Sequence, residues 1–404
     1  MTIDYAKRPL PICLFNAVGR NPALQVKKLM AKAQTKTGLF DYGDAWFLEP
    51  LTVLVKSINE EAKLSRLGTA IMQKRLVDAL ATRLRAEDLF KRHPEILEID
   101  LGHVFVIAGL QRTGTTLLHR LLASAPLVRA PLSWEVLNPV PLPGDAGNKA
   151  RIRQGKIAER GLKFIAPTFF AIHPVEHDMP EEDVLFLDIS FMSQSAEATM
   201  RVPTYAAWLE TQDNTPAYAY MKKMMQLLHW QNPGANTVLK SPHHMEYLDV
   251  ILKIFPGATI LQTHRDPQKT MASFVSMVCH GTGVFSTEVN PVEIAEHWQR
   301  KVHRLITLSG AARTQETESQ FIDVAYADLV VDPVGQLKRI YEKAGVPFTD
   351  ESADFAKKLL QRQVQNKYGR HIYDPADFGM SAEQIAHDFE DYRARFNIQP
   401  EVSS

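Results

Sequence analysis

The chain reads as an α/β protein: three layers around a central parallel sheet, with a helical N-terminal extension. Three observations predict this. Residues 104–122, VFVIAGLQRTGTTLLHRLL, run from a β-branched apolar strand through a glycine loop into a helix. Three more short apolar runs (237–239, 258–263 and 321–325) each end in polar residues and lead into a helical pattern. Strands that alternate with helices build a parallel sheet, and ligands collect at its carboxyl edge. Residues 24–89 carry mostly helical periodicity ahead of the first strand.

The N-terminal part comes first. Pro9, Pro11, Gly19 and Pro22 predict an extended arm over residues 1–25. Breaks are expected at Gly38, Gly43 and Pro50, and the clearest helix covers 66–89. Trp46, Phe47, Leu48 and Leu51 are expected to pack. The whole of 1–98 is expected to be a helical layer on the core. Residues 99–350 then form the α/β core, with a helical pocket insert at 149–235, and 351–404 add a C-terminal loop and helix.

The loop of the first strand is the chemical signal. Gly109-x-x-x-x-Gly114 has phosphate-loop spacing, and the amides of such a loop converge with the first helical turn on an anion. A nucleotide triphosphatase wants lysine where this chain has Thr115. The base instead sits at Arg112, and Thr116 keeps the hydroxyl.

After it, Pro126, Pro131, Pro139, Pro141, Pro143, Gly144 and Gly147 argue against regular structure over 125–148. Trp134 and Glu135 there either contact a ligand or anchor the loop. Residues 149–165 read as a helix. Pro180-Glu-Glu-Asp183 suits a helix start, fixed φ followed by negative charge. The competing reading places His177 or Glu182 at the mouth of a cleft. Pro174 argues against a metal site at His173 and His177. Tyr205, Trp208, Tyr218, Tyr220 and Trp230 suit either a core or an apolar acceptor pocket.

The α/β pattern then returns. Lys240, Ser241, Pro242, His243 and His244 end the second strand, with a helix expected over 243–254. Arg265 and Asp266 end the third, and Pro267 opens a helix carrying Ser273. A gap of eight lets Arg265 and Ser273 reach one anion. Helix starts are expected at Asn290, Asp332 and Ser381, each with cap chemistry. Tyr326 follows the last strand, and 361–380 hold a basic, aromatic loop including Arg362, Lys367, Tyr368, Gly369, Arg370 and His371.

Composition excludes several classes. The 404 residues carry 46 basic and 46 acidic side chains, so no bulk attraction to nucleic acid is expected. Cys13 and Cys279 do not make a disulfide framework. No segment approaches 18 apolar residues, so no membrane span is expected, and the location is expected to be cytoplasmic. Oligomeric state is not readable, a homodimer being one option.

Four blocks, GLQRTGTT (109–116), LKSPHH (239–244), THRDPQKTMAS (263–273) and VAYADLVVDPVGQLKRIYEKAGVPF (324–348), together resemble the PAPS-dependent sulfotransferase superfamily. The chain is most similar to the bacterial-type sulfotransferase family proteins with long helical N-terminal extensions, over roughly 100–350. The resemblance implies the P-loop nucleoside-triphosphatase-like sulfotransferase fold and transfer of a sulfuryl group from PAPS to a small-molecule, lipid or sugar acceptor, with no metal required. It assigns the donor to Gly109, Arg112, Thr113, Gly114, Thr115, Thr116, Arg265, Ser273 and Tyr326. The first loop would hold the 5′-phosphosulfate, and Arg265 with Ser273 the 3′-phosphate. Arg112 stands where the family has lysine, and it can bind oxygens bidentately. Lys240, Arg112 and His243 are the catalytic candidates, Lys240 beside the leaving phosphate and His243 as base. Lys-Ser-Pro-His at 240–243 departs from the family's lysine-x-histidine, so His244, His177 and Glu182 are held in reserve as base. A P-loop kinase or triphosphatase, and a non-catalytic binding protein on this fold, are the alternatives. Magnesium-dependent ATP turnover would favour the former, and absence of adenosine 3′,5′-bisphosphate (PAP) release the latter.

Overall fold

The computed structural model describes residues 4–401 apart from 6, 19, 20, 363–370 and 372. Lys367, Tyr368, Gly369 and Arg370 of the expected basic loop therefore lie outside the described residues. Five strands form one all-parallel sheet in the order β2-β3-β1-β4-β5: β1 His103–Ile107, β2 Val128–Arg129, β3 Asn236–Lys240, β4 Thr259–His264 and β5 Phe321–Ala325. Phe105 of β1 is in register with Val238 on one side and Thr259 on the other. Successive strands leave β1 in opposite directions, which opens a crevice at its carboxyl end.

Helices cover both faces. Before the sheet lie α1 Leu10–Ala17, α2 Val26–Thr37, α3 Leu48–Glu61 and α4 Arg66–Arg92. Helix α5 Thr115–Ala123 follows β1, and the insert holds α6 Ser133–Leu137, α7 Lys149–Ile165, α8 Pro167–Ile172, α9 Val184–Leu187, α10 Pro203–Leu209 and α11 Thr215–Gln231. Then come α12 Leu248–Ile254, α13 Pro267–Phe285 and α14 Pro291–Ala311. After β5 follow α15 Tyr326–Val331, α16 Pro333–Lys343, α17 Asp350–Arg362, α18 Ala382–Asp388 and α19 Glu390–Arg395.

The period of two along β1 divides the core. Phe105 and Ile107 pack with Leu118, Leu121 and Leu122 of α5 and with Leu337 and Ile340 of α16. Val104 and Val106 face the other way and share one apolar cluster with Leu76, Leu80 and Leu84 of α4 and Met221 and Met224 of α11. The N-terminal helices are thus a layer of the core. The aromatics of 205–230 go to the same place: Tyr205, Tyr218 and Tyr220 are buried in that cluster, with Trp208 and Trp230 against it. Phe47 and Leu51 are buried there too.

Local expectations fail where prolines or acids have a second option. The arm contains α1, whose Pro11 sits at the second helical position, where a missing N–H costs nothing. Pro50 likewise lies in the first turn of α3 and breaks nothing. Within 125–148 the edge strand β2 and helix α6 do form. Glu135 closes that helix by accepting from Leu132 N at 2.9 Å and from Arg129 Nη2 at 2.6 Å, and Trp134 lies buried with the Arg151 guanidinium 5.1 Å from its ring. Both are anchors. The acids of 180–183 precede α9 instead of opening a helix, because they bond inward (below). The stretch 243–254 is split: a 3-10 turn over Pro242–Glu246 precedes α12. Buried Lys301 of α14 holds that turn, its Nζ 2.8 Å from Glu246, 3.1 Å from Glu210 and 3.2 Å from Glu197.

Buried histidines make the fold acid-sensitive. Burial pushes His119 down to about 3, and His229 and His280 down to about 4, from an ordinary 6.5. The unfolded chain takes up these protons near pH 6.5 and the native state does not. Stability is therefore full above pH 6.5 and is lost as pH falls toward 4. Thermal denaturation is expected to show Tm dropping steadily across that window; a flat Tm would contradict the burial of these rings.

Candidate active site

The loop after β1 is folded by its own side chains. Thr113 Oγ1 donates to Leu110 O at 2.5 Å and lies 2.6 Å from Thr263 Oγ1 on β4. A Cβ on Gly109 would stand 1.9 Å from that same Thr263 Oγ1, so only glycine lets the loop lie against β4. Gly114 has φ +89° and no room for a side chain beside the Tyr326 ring. Arg112 takes φ +67°, a strained conformation for a non-glycine residue.

This loop, the ends of β3 and β4 and the middle of α13 border a cavity of about 270 Å³. Its wall contains Arg112, Gly114, Thr115, Thr116, Lys240, Arg265 and Tyr326, seven of the residues expected from sequence, together with Glu182 from the reserve set. Gln111, Leu117, His173, Pro242 and Met277 complete it. The Arg265 guanidinium lies 4.0 Å from the Tyr326 ring centroid, and its Nη1 donates to Arg112 O at 3.2 Å. Burial lowers the pKa of Arg112, with Arg265 adding to the effect. Lys240 Nζ is paired with Glu182 Oε1. Arg112, Lys240 and Arg265 thus bring three cations to the cavity against two carboxylates, Glu182 on Lys240 and Glu401 on Arg265, a surplus that favours an anion.

Other expected residues lie behind the wall or away from it. Gly109 and Thr113 shape the loop. Ser273 is buried on α13, one turn before Met277 on the same helical face. His243 does not reach the cavity. It is fully buried, with its ring centroid 4.9 Å from that of Tyr247, and burial holds its pKa well below 6.5. His177 is held by Glu159 at 2.7 Å, away from the wall. His244 is fully buried: its Nε2 pairs with Asp183 Oδ1 at 2.7 Å and its Nδ1 lies 2.9 Å from Tyr218 Oη. Asp183 Oδ2 also accepts from Lys240 N at 2.5 Å. This buried bond system pins residues 180–183 across the end of β3 and so delivers Glu182 to Lys240.

Two features escape sequence reasoning. His173 lies on the wall, its pKa pushed down to about 4, chiefly by burial, so the ring is neutral near pH 7. Glu401 grips Arg265 bidentately, 2.8 Å to Nε and 2.9 Å to Nη2, while its backbone N donates to Asp266 Oδ2 at 3.0 Å. Nothing in local sequence links a glutamate 136 residues downstream to Arg265. Among the described residues no cluster of His, Cys, Asp and Glu suits a metal ion, and no helix is long and apolar enough to cross a membrane.

A parallel sheet with a phosphate-type loop, cations from three strand ends and a carboxylate paired with one of them forms a crevice suited to an anionic group. The sulfotransferase family model matches residues 104–350, and the chain belongs to that family. It is a sulfotransferase. It is similar to the sulfotransferase STF1 from Mycobacterium tuberculosis H37Rv, with 30% identity, 92% of this chain and 100% of that one covered, and a TM-score of 0.82. STF9 from Mycobacterium avium shares the fold at 24% identity, with 96% and 100% covered and a TM-score of 0.84. A curated relative, the omega-hydroxy-beta-dihydromenaquinone-9 sulfotransferase Stf3 of Mycobacterium bovis (strain ATCC BAA-935 / AF2122/97), is 23% identical over 318 residues, 67% of this chain and 76% of the relative. Stf3 of Mycobacterium tuberculosis (strain CDC 1551 / Oshkosh) matches equally. The α/β parallel-sheet fold with its helical N-terminal region, read from sequence, agrees with these structures. Enzymes of the family generally use PAPS as sulfuryl donor.

Proposed function

We propose that this enzyme transfers the sulfuryl group of PAPS to a hydroxyl of a small-molecule or lipid acceptor, with Glu182 as the base. The observation that carries this reading is the Lys240–Glu182 pair facing Arg112 and Arg265 in one cavity. Arg112, the loop amides from Gly114 to Thr116 and the start of α5 would hold the phosphosulfate. Arg265 over Tyr326 would hold the 3′-phosphate, with Ser273 behind it. The donor supplies an activated sulfur–oxygen bond. The acceptor oxygen forms the new bond to sulfur, the old bond breaks toward the phosphate, and the acceptor proton passes to Glu182. Lys240 neutralises charge on the departing phosphate oxygen. Neutral His173 offers a hydrogen bond to the acceptor. Glu182 replaces His243 in the role of base because His243 is shut inside the protein.

Incubation with PAPS and a panel of alcohols, phenols and sugars should release PAP only with an acceptor present. Release of no PAP with any acceptor, despite tight PAP binding, would sink the catalytic reading.

Glu401 gives a further expectation. Its carboxylate occupies the Arg265 donors that the 3′-phosphate needs, so it competes with the donor from within the chain. Glu401→Gln is expected to tighten PAP binding by about threefold to tenfold, and Arg265→Ala to weaken it by about tenfold to a hundredfold. Calorimetric titration with PAP reads both. Unchanged affinity in Arg265→Ala would remove that residue from the donor site.

A further inference from the structure

A second cavity, of about 410 Å³, lies between α4, α7 and α9, within the size range of small-ligand sites. Its wall is apolar, with Leu76, Ala79, Val136, Leu162, Ile165 and Leu185 contributing. The charged groups at its edge cancel in pairs, Lys74 with Asp78 and Arg75 with Asp188. The lining therefore suits an uncharged hydrocarbon and gives an anion nothing unpaired to bind.

Helix α13 borders both this cavity and the active site. Met277 lines the donor cavity, and Val284 and Phe285 line the apolar one, about 10 Å further along the helix at 1.5 Å per residue. Phe169 lies between them, against Gly281 on one side and with its ring centroid 6.0 Å from that of His173 on the other. On the opposite wall, Leu185 follows Glu182 by three residues. A chain whose hydroxyl lies at Glu182 and His173 would run past Phe169 along α13 to reach the apolar cavity.

We infer that this cavity is the acceptor's chain-binding subsite and that the preferred acceptor is an uncharged, long-chain alcohol. The inference rests on the sulfotransferase reading for the reacting end, while the cavity itself is testable alone. Gly161 of α7 lines it, and a Cβ built there meets no atom within 4 Å. A large side chain at 161 therefore fills the cavity without displacing backbone, and loss of glycine favours the helix. Gly161→Phe is the test variant, with Gly161→Ala as a control that leaves most of the space open.

Two readouts are used: fluorescence titration with cis-parinaryl alcohol, and PAP release with 1-butanol or 1-dodecanol as acceptor. Wild type and Gly161→Ala are expected to bind the fluorescent alcohol alike, and Gly161→Phe about tenfold more weakly or worse, because several methylenes lose their burial. KM for dodecanol should rise by a similar factor in Gly161→Phe, with butanol turnover and PAP affinity unchanged. Equal binding of the fluorescent alcohol by all three proteins, or binding by none, overturns the subsite. Binding lost in Gly161→Phe, with no transfer to any alcohol in wild type, upholds the subsite and overturns the catalytic reading.

Discussion

Glu182→Gln is expected to lower turnover by about 10²- to 10⁴-fold, the range for loss of a positioned general base. The amide is nearly isosteric and keeps an oxygen to accept from Lys240, so the fold should be unchanged. PAP affinity should hold or rise slightly, because the change removes a negative charge from a cavity built for an anion. That divergence separates a base from a mere strut: a strut would lower Tm and PAP affinity along with turnover. Single-turnover transfer from PAPS, PAP calorimetry and a thermal melt supply the three readouts. Wild-type turnover in Glu182→Gln would pass the role to His173, the other proton-accepting side chain on the wall. Substitution of His177 should have little effect on transfer, because Glu159 holds it away from the cavity.

The sequence is most legible where backbone chemistry is local. The β1 loop announces itself because glycine, threonine and a base have fixed jobs within eight residues. The cap at Asn290 is equally direct: its side chain accepts from Glu293 N, as the Asn-Pro-Val-Glu pattern requires. The site fails to be legible where a side chain chooses between local and distant partners. Pro180-Glu-Glu-Asp183 has every local feature of a helix start. Asp183 instead finds His244 and the Lys240 amide, two buried partners some 60 residues away, and helix α9 starts after it. Charged groups in a low-dielectric interior gain more from such partners than from a solvated helix end. His243 shows the converse. Its place beside Lys240 in sequence suggested chemistry, but the 3-10 turn at Pro242 rotates it into the packing around Tyr218 and Tyr247. One residue of register decides between cavity and core, and periodicity does not resolve one residue in so short a turn.

Lys240→Met should reduce turnover by about 10²- to 10³-fold, the cost of removing a preorganised charge from the point where negative charge develops. Unlike Glu182→Gln, it should also weaken PAP binding, because Glu182 is left as an unpaired carboxylate facing the bound anion. The pair is therefore expected to be non-additive. The double variant Glu182→Gln/Lys240→Met should recover most of the PAP affinity lost in Lys240→Met, since the repelling charge is gone, yet recover none of the turnover. This pattern distinguishes two roles that a single substitution confuses. If Lys240 acted only by neutralising Glu182, the double variant would turn over no more slowly than Glu182→Gln alone. If it acted only on the leaving phosphate, the single variant would bind PAP as tightly as the double. The expected result, affinity restored and turnover well below that of Glu182→Gln alone, requires Lys240 to do both: hold the base in place in the free enzyme and meet the departing oxygen during transfer.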